Sequence, residues 1–191
     1  MLTVGVLALQ GDFAAHARML AELGAQPREV RVPADLAGLD GLVIPGGEST
    51  TMTLGIEREG LAEPLRELAR GGTPVFGTCA GLIMLDRAHL GIMDVLATRN
   101  AFGRQVHSFE EDLTIAGVEG PSVRAVFIRA PWVAELGDSV EVLAAVDGHP
   151  VAVQQDHLLA ISFHPELSGE PRLHERFLAL VESARSARTS R

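Results

Sequence analysis

Residues 74–85 read PVFGTCAGLIML, a short apolar strand that runs directly into a helix, with Cys79 at the junction in the pattern Gly-x-Cys-x-Gly. A sharp turn of this kind places a side chain at the amino end of a helix, where free N–H groups and the helix dipole favour an anion. The two flanking glycines relieve the crowding of such a turn. The stretch predicts a nucleophile elbow, and the competing interpretation is that a lone cysteine is simply a core residue.

On both sides of this elbow, short runs of Val, Ile and Leu alternate with helical patterns. Asp12 is placed to cap a helix that ends at Gly24, and a second helical pattern covers 60–72. This alternation is typical of βα units on a parallel sheet. The predicted strands of this half are 2–9, 28–32, 41–45 and 74–77.

The second half of the chain contains strand-like segments with little helix between them, which predicts antiparallel additions to the sheet. An amphipathic helix follows, and the polar segment 184–191 is expected to be a frayed tail. We therefore predict an α/β fold with a doubly wound, mostly parallel central sheet, in one domain that spans 1–191. The strand-like segments are 105–113, 123–131, 140–146, 149–155 and 158–163, and the apolar helix face carries Leu173, Phe177, Leu180 and Val181.

Composition excludes several classes of function. A net charge of −9 argues against a nucleic-acid partner, and all 16 basic residues are arginine, which excludes a Walker-type phosphate loop and Schiff-base chemistry on this chain. The single cysteine cannot form an internal disulfide, so a cytoplasmic protein is expected. The apolar run at the start is too short to cross a membrane, and no membrane partner is expected. No cysteine and histidine spacing indicates a metal site.

A thiolate nucleophile needs a base that is oriented by a third group. His164 follows the predicted strand 158–163 at its carboxyl end and precedes Pro165 and Glu166. Proline holds the preceding residue extended, and a glutamate two positions on can fold back to orient the imidazole. The remaining histidines are predicted to be core or solvated residues: His16, His89, His107, His149, His157 and His174.

The segment PGGESTTM (45–52) provides a Gly-Gly loop at the end of another predicted strand. Loops at the carboxyl ends of strands form the ligand sites of open α/β sheets. The backbone N–H groups of Gly47 and Ala80 are the candidate donors of an oxyanion hole, and one such donor contributes about 3 kcal/mol of transition-state stabilisation. Taken alone, the Gly-Gly pair also fits an ordinary turn.

With Cys79, His164 and Glu166 in this order behind a Gly-Gly loop, the chain resembles the triad-type (class I) glutamine amidotransferases. It resembles in particular the glutaminase subunits of pyridoxal 5′-phosphate synthase. The resemblance implies a flavodoxin-like class I glutamine amidotransferase fold and covers most of the chain. The segments that carry it are ALQGDFAAH (8–16), PGGESTTM, FGTCAGLIML, RNAFGRQVHSFE (99–110), FIRAP (127–131) and FHPEL (163–167).

The resemblance implies hydrolysis of L-glutamine to glutamate and ammonia through a thioester on Cys79, with His164 and Glu166 completing the triad. It implies no cofactor, and a hetero-oligomer with a synthase subunit that builds pyridoxal phosphate from a pentose phosphate and a triose phosphate. We also hypothesise that Gln10 couples partner docking to formation of the oxyanion hole. The implied glutamine-binding residues are Gly47, Glu48, Ser49, Arg99, Ile128 and Arg129.

Three alternatives remain open at this point. A glutaminase subunit that serves another synthase, such as the one that makes imidazole glycerol phosphate, shares the triad. A stand-alone cysteine hydrolase or peptidase on the same sheet would be active without a partner and poorly selective for glutamine. A non-catalytic binding module would keep Cys79 as an inert buried thiol.

Overall fold

The computed structural model describes residues 1–103 and 108–189. The first half of the chain alternates strands and helices: β1 (Thr3–Leu7), α1 (Phe13–Glu22), β2 (Gln26–Val30), β3 (Gly41–Ile44), α2 (Ser49–Arg58), α3 (Ala62–Arg70), β4 (Val75–Thr78) and α4 (Ala80–Leu85). The second half is richer in strands: β5 (Val95–Thr98), β6 (Ser108–Leu113), β7 (Val123–Ile128), β8 (Trp132–Leu136), β9 (Glu141–Val146), β10 (His149–Gln155), β11 (Leu158–Ile161), α5 (Pro165–Ser168) and α6 (Arg172–Thr189).

The central sheet has seven strands in the order β2-β1-β3-β4-β11-β10-β9. The five strands from β2 to β11 pair in parallel, and β10 and β9 extend the sheet in antiparallel pairing. This arrangement confirms the predicted fold class. The pairs Ile44 with Gly77 and Thr78 with Ile161 place the carboxyl ends of β3, β4 and β11 side by side.

Both faces of the central strands are covered, which explains why these strands read as continuous apolar runs. Along β3, Leu42 and Ile44 belong to an apolar cluster shared with α2, α3 and α4. Val43 belongs to a second cluster on the other face, formed with residues of α1 and α6. The sheet is thus held between two helical layers, and its carboxyl edge is left for the loops that follow the strands.

Several elements differ from the sequence prediction. Helix α2 covers much of the segment that was predicted as a loop, and β5–β8 and β6–β7 form separate two-stranded sheets instead of joining the central one. Part of the predicted strand 105–113 lies outside the described residues. Helix α6 continues to Thr189, so the fraying of 184–191 stays a prediction. Among the described residues, no helix is both long and apolar enough to cross a membrane.

Candidate active site

Cys79 occupies the turn between β4 and α4 with φ 51° and ψ −106°, a backbone conformation that residues other than glycine rarely adopt. Its N–H donates a hydrogen bond of 2.8 Å to the carbonyl of Ile161 in the neighbouring strand β11. The thiol sulfur lies 3.9 Å from the carbonyl oxygen of Ile128. The elbow predicted from the sequence is therefore present, and the strain falls on the cysteine itself.

The two glycines that flank the elbow provide space. A methyl group on Gly77 would lie 2.7 Å from the carbonyl carbon and oxygen of Gly81 and 2.8 Å from Cδ1 of Leu85. A methyl group on Gly81 would collide with the carbonyl oxygen of Ile44 in β3. The pattern Gly-x-Cys-x-Gly thus lets α4 pack directly on the sheet, which brings the start of this helix next to the ends of the strands.

His164 follows β11 and caps α5, a four-residue helix that begins at Pro165. The backbone N–H of His164 donates to the carbonyl of Val126 at 2.9 Å, which ties the residue to β7. Its Nδ1 lies 2.6 Å from Oε1 of Glu166, whose side chain is only 1% exposed. Proline at the first helical position fixes the turn that folds Glu166 back onto the imidazole.

The electrostatics of this pair favour a charged imidazole. Burial lowers the pKa of His164, but hydrogen bonds to the side chains of Cys79 and Glu166 outweigh it and raise this pKa to about 10. Burial likewise raises the pKa of Glu166, but the hydrogen bond from His164 and the proximity of His16 bring it below its ordinary value. The hydrogen bonds to Cys79 and Glu166 thus stabilise an imidazolium next to the candidate nucleophile.

A cavity of about 750 Å³ opens in front of Cys79 and His164 at the carboxyl edge of the sheet. Its wall also contains Asn100, Ser108 and Pro131, which the sequence analysis did not single out. A second cleft of about 820 Å³ lies at the amino ends of β1 and β2, next to α6, and contains none of the predicted site residues. The cavity at the carboxyl edge brings together all the residues predicted for substrate and oxyanion binding: Gly47, Glu48, Ser49, Ala80, Arg99, Ile128 and Arg129.

Gly46 is a site residue that the sequence analysis did not identify. A methyl group at this position would lie 2.5 Å from Cε1 of His164 and 3.2 Å from Cβ of Cys79. The next residue, Gly47, has φ 147°, a conformation available mainly to glycine. The Gly-Gly pair is therefore required by space at the first position and by backbone conformation at the second.

The segment after this glycine pair is held by its own side chains. The carboxylate of Glu48 caps α2 by accepting hydrogen bonds from the N–H groups of Thr50 at 3.0 Å and Thr51 at 2.7 Å. These two bonds, and a third from the hydroxyl of Thr51, lower the pKa of Glu48 to about 2. Arg99 donates to the hydroxyl of Ser49 and, at 2.9 Å, to that of Thr50. One guanidinium is thereby fixed at the edge of the cavity.

Arg129 reaches the same cavity in a different way. Its φ of 44° lies in the left-handed region, and its side chain is exposed. Within the described ranges 1–103 and 108–189, its guanidinium forms no ion pair. The turn after β7 fixes the backbone conformation of Arg129, whereas neighbouring hydroxyl groups orient the guanidinium of Arg99.

Gln10 lies behind the Gly-Gly loop and outside the cavity wall. Its Oε1 accepts a hydrogen bond of 2.9 Å from the N–H of Glu48, and its amide group fills the space that a side chain on Gly47 would need. A side chain on Gly11 would likewise collide with the carbonyl oxygen of Gly46. The loop after β1 is thus packed directly against the loop that carries a predicted oxyanion donor.

Two further histidines stand behind the triad, and the structure buries both of them completely. Nε2 of His16 lies 3.4 Å from Oε2 of Glu166, and Nδ1 of His16 lies 2.9 Å from Nε2 of His174. Their positions on the buried faces of α1 and α6 could be predicted from helical spacing. Their proximity to Glu166 could not, because it depends on how the two helices pack against the sheet.

Comparisons with known proteins agree with this geometry. Residues 6–183 match the model of the SNO glutamine amidotransferase family. The chain is 55% identical over 194 residues to pyridoxal 5′-phosphate synthase subunit PdxT of Frankia alni, covering 97% of this chain and 98% of the relative. It is 50% identical over 193 residues to the protein of the same name from Geobacillus kaustophilus, with the same coverage of 97% and 98%.

Solved structures give the same fold. A crystal structure of a glutamine amidotransferase is 47% identical and has a TM-score of 0.88, covering 94% of this chain and 98% of the other. The structure of PurLQS from Thermotoga maritima has a TM-score of 0.72 at 16% identity and covers 96% of both chains. The second likeness concerns the fold alone.

Proposed function

The chain belongs to the SNO glutamine amidotransferase family, and we propose that it is a glutaminase that hydrolyses L-glutamine to L-glutamate and ammonia. The observation that carries this proposal is that Cys79 and His164 line one cavity, while Glu166 binds Nδ1 of His164 from behind. A thiolate, an imidazolium and an orienting carboxylate are the groups that acyl transfer from an amide requires.

In the first half of the reaction, the Cys79 thiolate attacks the side-chain amide carbon of glutamine. The N–H groups of Gly47 and Ala80 stabilise the oxyanion that forms, and the imidazolium of His164 protonates the departing nitrogen. The carbon–nitrogen bond breaks, ammonia leaves, and a γ-glutamyl thioester remains on Cys79.

In the second half, His164 acts as a base. Its raised pKa depends in part on the Cys79 side chain, and acylation of the sulfur removes that contribution. The now neutral imidazole takes a proton from water, which attacks the thioester and releases glutamate and the thiolate. Glu166 holds the ring in the same orientation through both halves.

Arg99 is the proposed partner of the glutamine α-carboxylate. Its guanidinium is already oriented towards the cavity by the hydroxyl groups of Ser49 and Thr50, so little conformational entropy is lost on binding. The carboxylate of Glu48 lies 3.6 Å from the same guanidinium but also caps α2, so it neutralises only part of the positive charge of Arg99. Ile128 and Arg129 are proposed to contribute through the backbone after β7.

The ammonia is proposed to serve a separate synthase subunit that makes pyridoxal 5′-phosphate. The relatives from Frankia alni and Geobacillus kaustophilus are named as subunits of pyridoxal 5′-phosphate synthase. The chain has no lysine, so it cannot hold a sugar phosphate or pyridoxal phosphate as an imine, and the carbon chemistry belongs on the partner. Ammonia released into water is protonated and lost, which favours a docked complex with a protected route.

Gln10 is proposed to couple docking of this partner to the oxyanion hole. Its amide contacts both Gly47 and the N–H of Glu48, so displacement of the loop after β1 changes the position of an oxyanion donor. A Gln10→Ala variant should lose most of the stimulation by the synthase subunit. Unchanged stimulation of this variant would refute the coupling.

The function is tested by measuring ammonia release from glutamine by the wild-type protein and Cys79→Ala, each with and without the synthase subunit. We expect stimulation of the wild type by the partner and loss of activity in the variant. Equal rates for the two proteins would refute the proposal. High activity without partner, with poor selectivity for glutamine, would instead favour a stand-alone hydrolase.

A further inference from the structure

Two wholly buried histidines continue the catalytic triad on the side away from the cavity. His16, from α1, directs Nε2 at the second carboxylate oxygen of Glu166 over 3.4 Å. Its Nδ1 lies 2.9 Å from Nε2 of His174, from α6. Neither histidine is part of the cavity wall. Both therefore stand behind the triad, and Glu166 is the triad member that His16 approaches with its Nε2.

The carboxylate of Glu166 needs such a contact. Oε1 pairs with Nδ1 of His164 at 2.6 Å, whereas Oε2 is buried and has no hydrogen-bond partner among the described residues. A buried carboxylate oxygen without a donor is costly. Nε2 of His16 is the nitrogen that approaches this oxygen, at 3.4 Å. The same nitrogen forms a hydrogen bond of 3.3 Å with Oγ1 of Thr78, which holds the ring against β4.

The hydrogen-bond pattern selects one tautomer. With the proton of His16 on Nε2, that N–H lies between Oε2 of Glu166 and Oγ1 of Thr78, and Nδ1 accepts from the Nε2–H of His174. The buried Nδ1 of His174, which has no partner among the described residues, is then a bare lone pair. The opposite tautomer would point a lone pair of His16 at the carboxylate and leave a buried N–H of His174 unpaired, which costs more.

The charges around the pair are consistent with neutral rings. Burial lowers the pKa of His16, although the charge of Glu166 opposes it, and burial together with His16 lowers the pKa of His174 to about 3. Both rings are thus neutral donors and acceptors at neutral pH. The titratable groups that face this network are Cys79, His164 and Glu166 on the cavity side and Asp12 at the start of α1.

We propose that His16 is a positioning residue for Glu166, which donates its Nε2 proton towards Oε2, and that His174 fixes the tautomer that makes this donation possible. The inference rests on the proposed glutaminase function, because it concerns the same triad. Without the donor, Glu166 is free to rotate or to gain a proton, and the orientation and charge of the His164 ring are no longer fixed.

The test uses two polar, uncharged replacements, each of which keeps a nitrogen at the position of only one of the two imidazole nitrogens. In His16→Gln the amide nitrogen reaches the position of Nε2 and can still donate to Glu166, whereas in His16→Asn it reaches only the position of Nδ1. In glutaminase assays with the synthase subunit, we expect His16→Gln to keep kcat within about threefold of wild type. His16→Asn should lose about 10- to 100-fold in kcat, with KM for glutamine nearly unchanged.

A second measurement does not depend on turnover. Cys79 is the only cysteine, so the rate of alkylation by iodoacetamide reports on this thiol alone. In His16→Asn the pH profile of alkylation should move to higher pH, because a loosened Glu166 stabilises the His164 imidazolium, and through it the thiolate, less well. A role in packing alone would lower Tm of both variants without separating their profiles.

His157→Gln is the matched control, because Nε2 of this half-buried histidine forms a hydrogen bond with the carbonyl of Ala69 outside the site. If His16→Asn does not fold, His174→Leu replaces it, with a partial loss of kcat and the same direction of alkylation shift expected. Equal kcat and profiles for the replacements and wild type would overturn the positioning role and leave the glutaminase function intact. An inactive wild type, or one matched by Cys79→Ala, would instead refute the function itself.

Discussion

Gly46 is the residue whose size most directly limits the chemistry. In Gly46→Ala the added methyl group would lie 2.5 Å from Cε1 of His164 and 3.2 Å from Cβ of Cys79. The imidazole must move away from the thiol, and we expect kcat for glutamine hydrolysis to fall about 100-fold. Gly71→Ala is the control, since φ is −70° there and the residue lies at the end of α3. Equal kcat values for the two variants would contradict this account.

Arg99 supports a second prediction at the same scale, on substrate affinity. Removing its guanidinium in Arg99→Ala should raise KM for glutamine about 10- to 100-fold, because the proposed charge-assisted contact with the α-carboxylate would be lost. In Arg129→Ala we expect a smaller rise, since the proposed contribution of that residue is through its backbone. Steady-state kinetics of both variants test this, and a larger effect at Arg129 would reverse the assignment.

The roles of some single residues can be predicted from the sequence, whereas the roles of others cannot. Cys79, His164 and Glu166 can be proposed from the sequence because their chemistry is specific to their residue type and their order along the chain matches that of a known family. Gly46 and His16 cannot be predicted in this way, because glycine and buried histidine are common. Their roles depend on contacts between separate elements of the fold. Local sequence contains no information on those distances.

Helix α2 shows how a single side chain can define an element. Its capping residue is Glu48, whose carboxylate binds the N–H groups of Thr50 and Thr51. Glu48→Ala should lower Tm by a few degrees, whereas Glu57→Ala in the last turn of the same helix should not. Because the pKa of Glu48 is lowered from 4.5 to about 2, the stabilisation is present above 4.5 and is lost as the pH falls towards 2. Thermal unfolding of the three proteins across this range measures it.

The start of helix α2 is not predicted by its sequence, for a physical reason. Its first turns contain Thr50, Thr51 and Thr53, and Gly55 follows, all of which have low helix propensity. The cap and the packing of Met52 and Ile56 in the apolar cluster under the sheet compensate. Tertiary contacts outweigh propensity here, as they commonly do in short helices.

The strands illustrate a different limit. Apolar runs predicted β1, β3 and β4 well, because a strand buried on both faces shows in its composition. For β6 and β7 the strand character was visible but the pairing was not: these two pair with each other from Ser108 with Ile128 to Leu113 with Val123. Period-two patterns identify a strand, whereas its neighbour in the sheet is set by loops and long-range packing.

At the scale of the whole molecule, the strand order produces the site. Cys79 and His164 are far apart in sequence, yet they follow β4 and β11, which are adjacent and parallel. The right-handed connections of such a sheet place both residues at its carboxyl edge, where the Gly-Gly loop after β3 also ends. The resemblance to a known family anticipated this arrangement, whereas composition and periodicity alone predicted only the class of sheet.

The same packing makes the free energy of unfolding depend on pH in both the acid and the alkaline range. His174 is neutral in the fold with a pKa lowered from 6.5 to about 3, so its contribution to stability is present above pH 6.5 and is lost as the pH falls. His164 is charged in the fold with a pKa raised to about 10, so its contribution is present below 6.5 and is lost as the pH rises towards 10. Each group changes the free energy of unfolding by up to about 1.4 kcal/mol per pH unit within its window.

We expect His174→Leu to flatten the acid side of a profile of Tm against pH, and His164→Gln to flatten the alkaline side. Matching profiles for the two variants would show that other groups control the pH dependence.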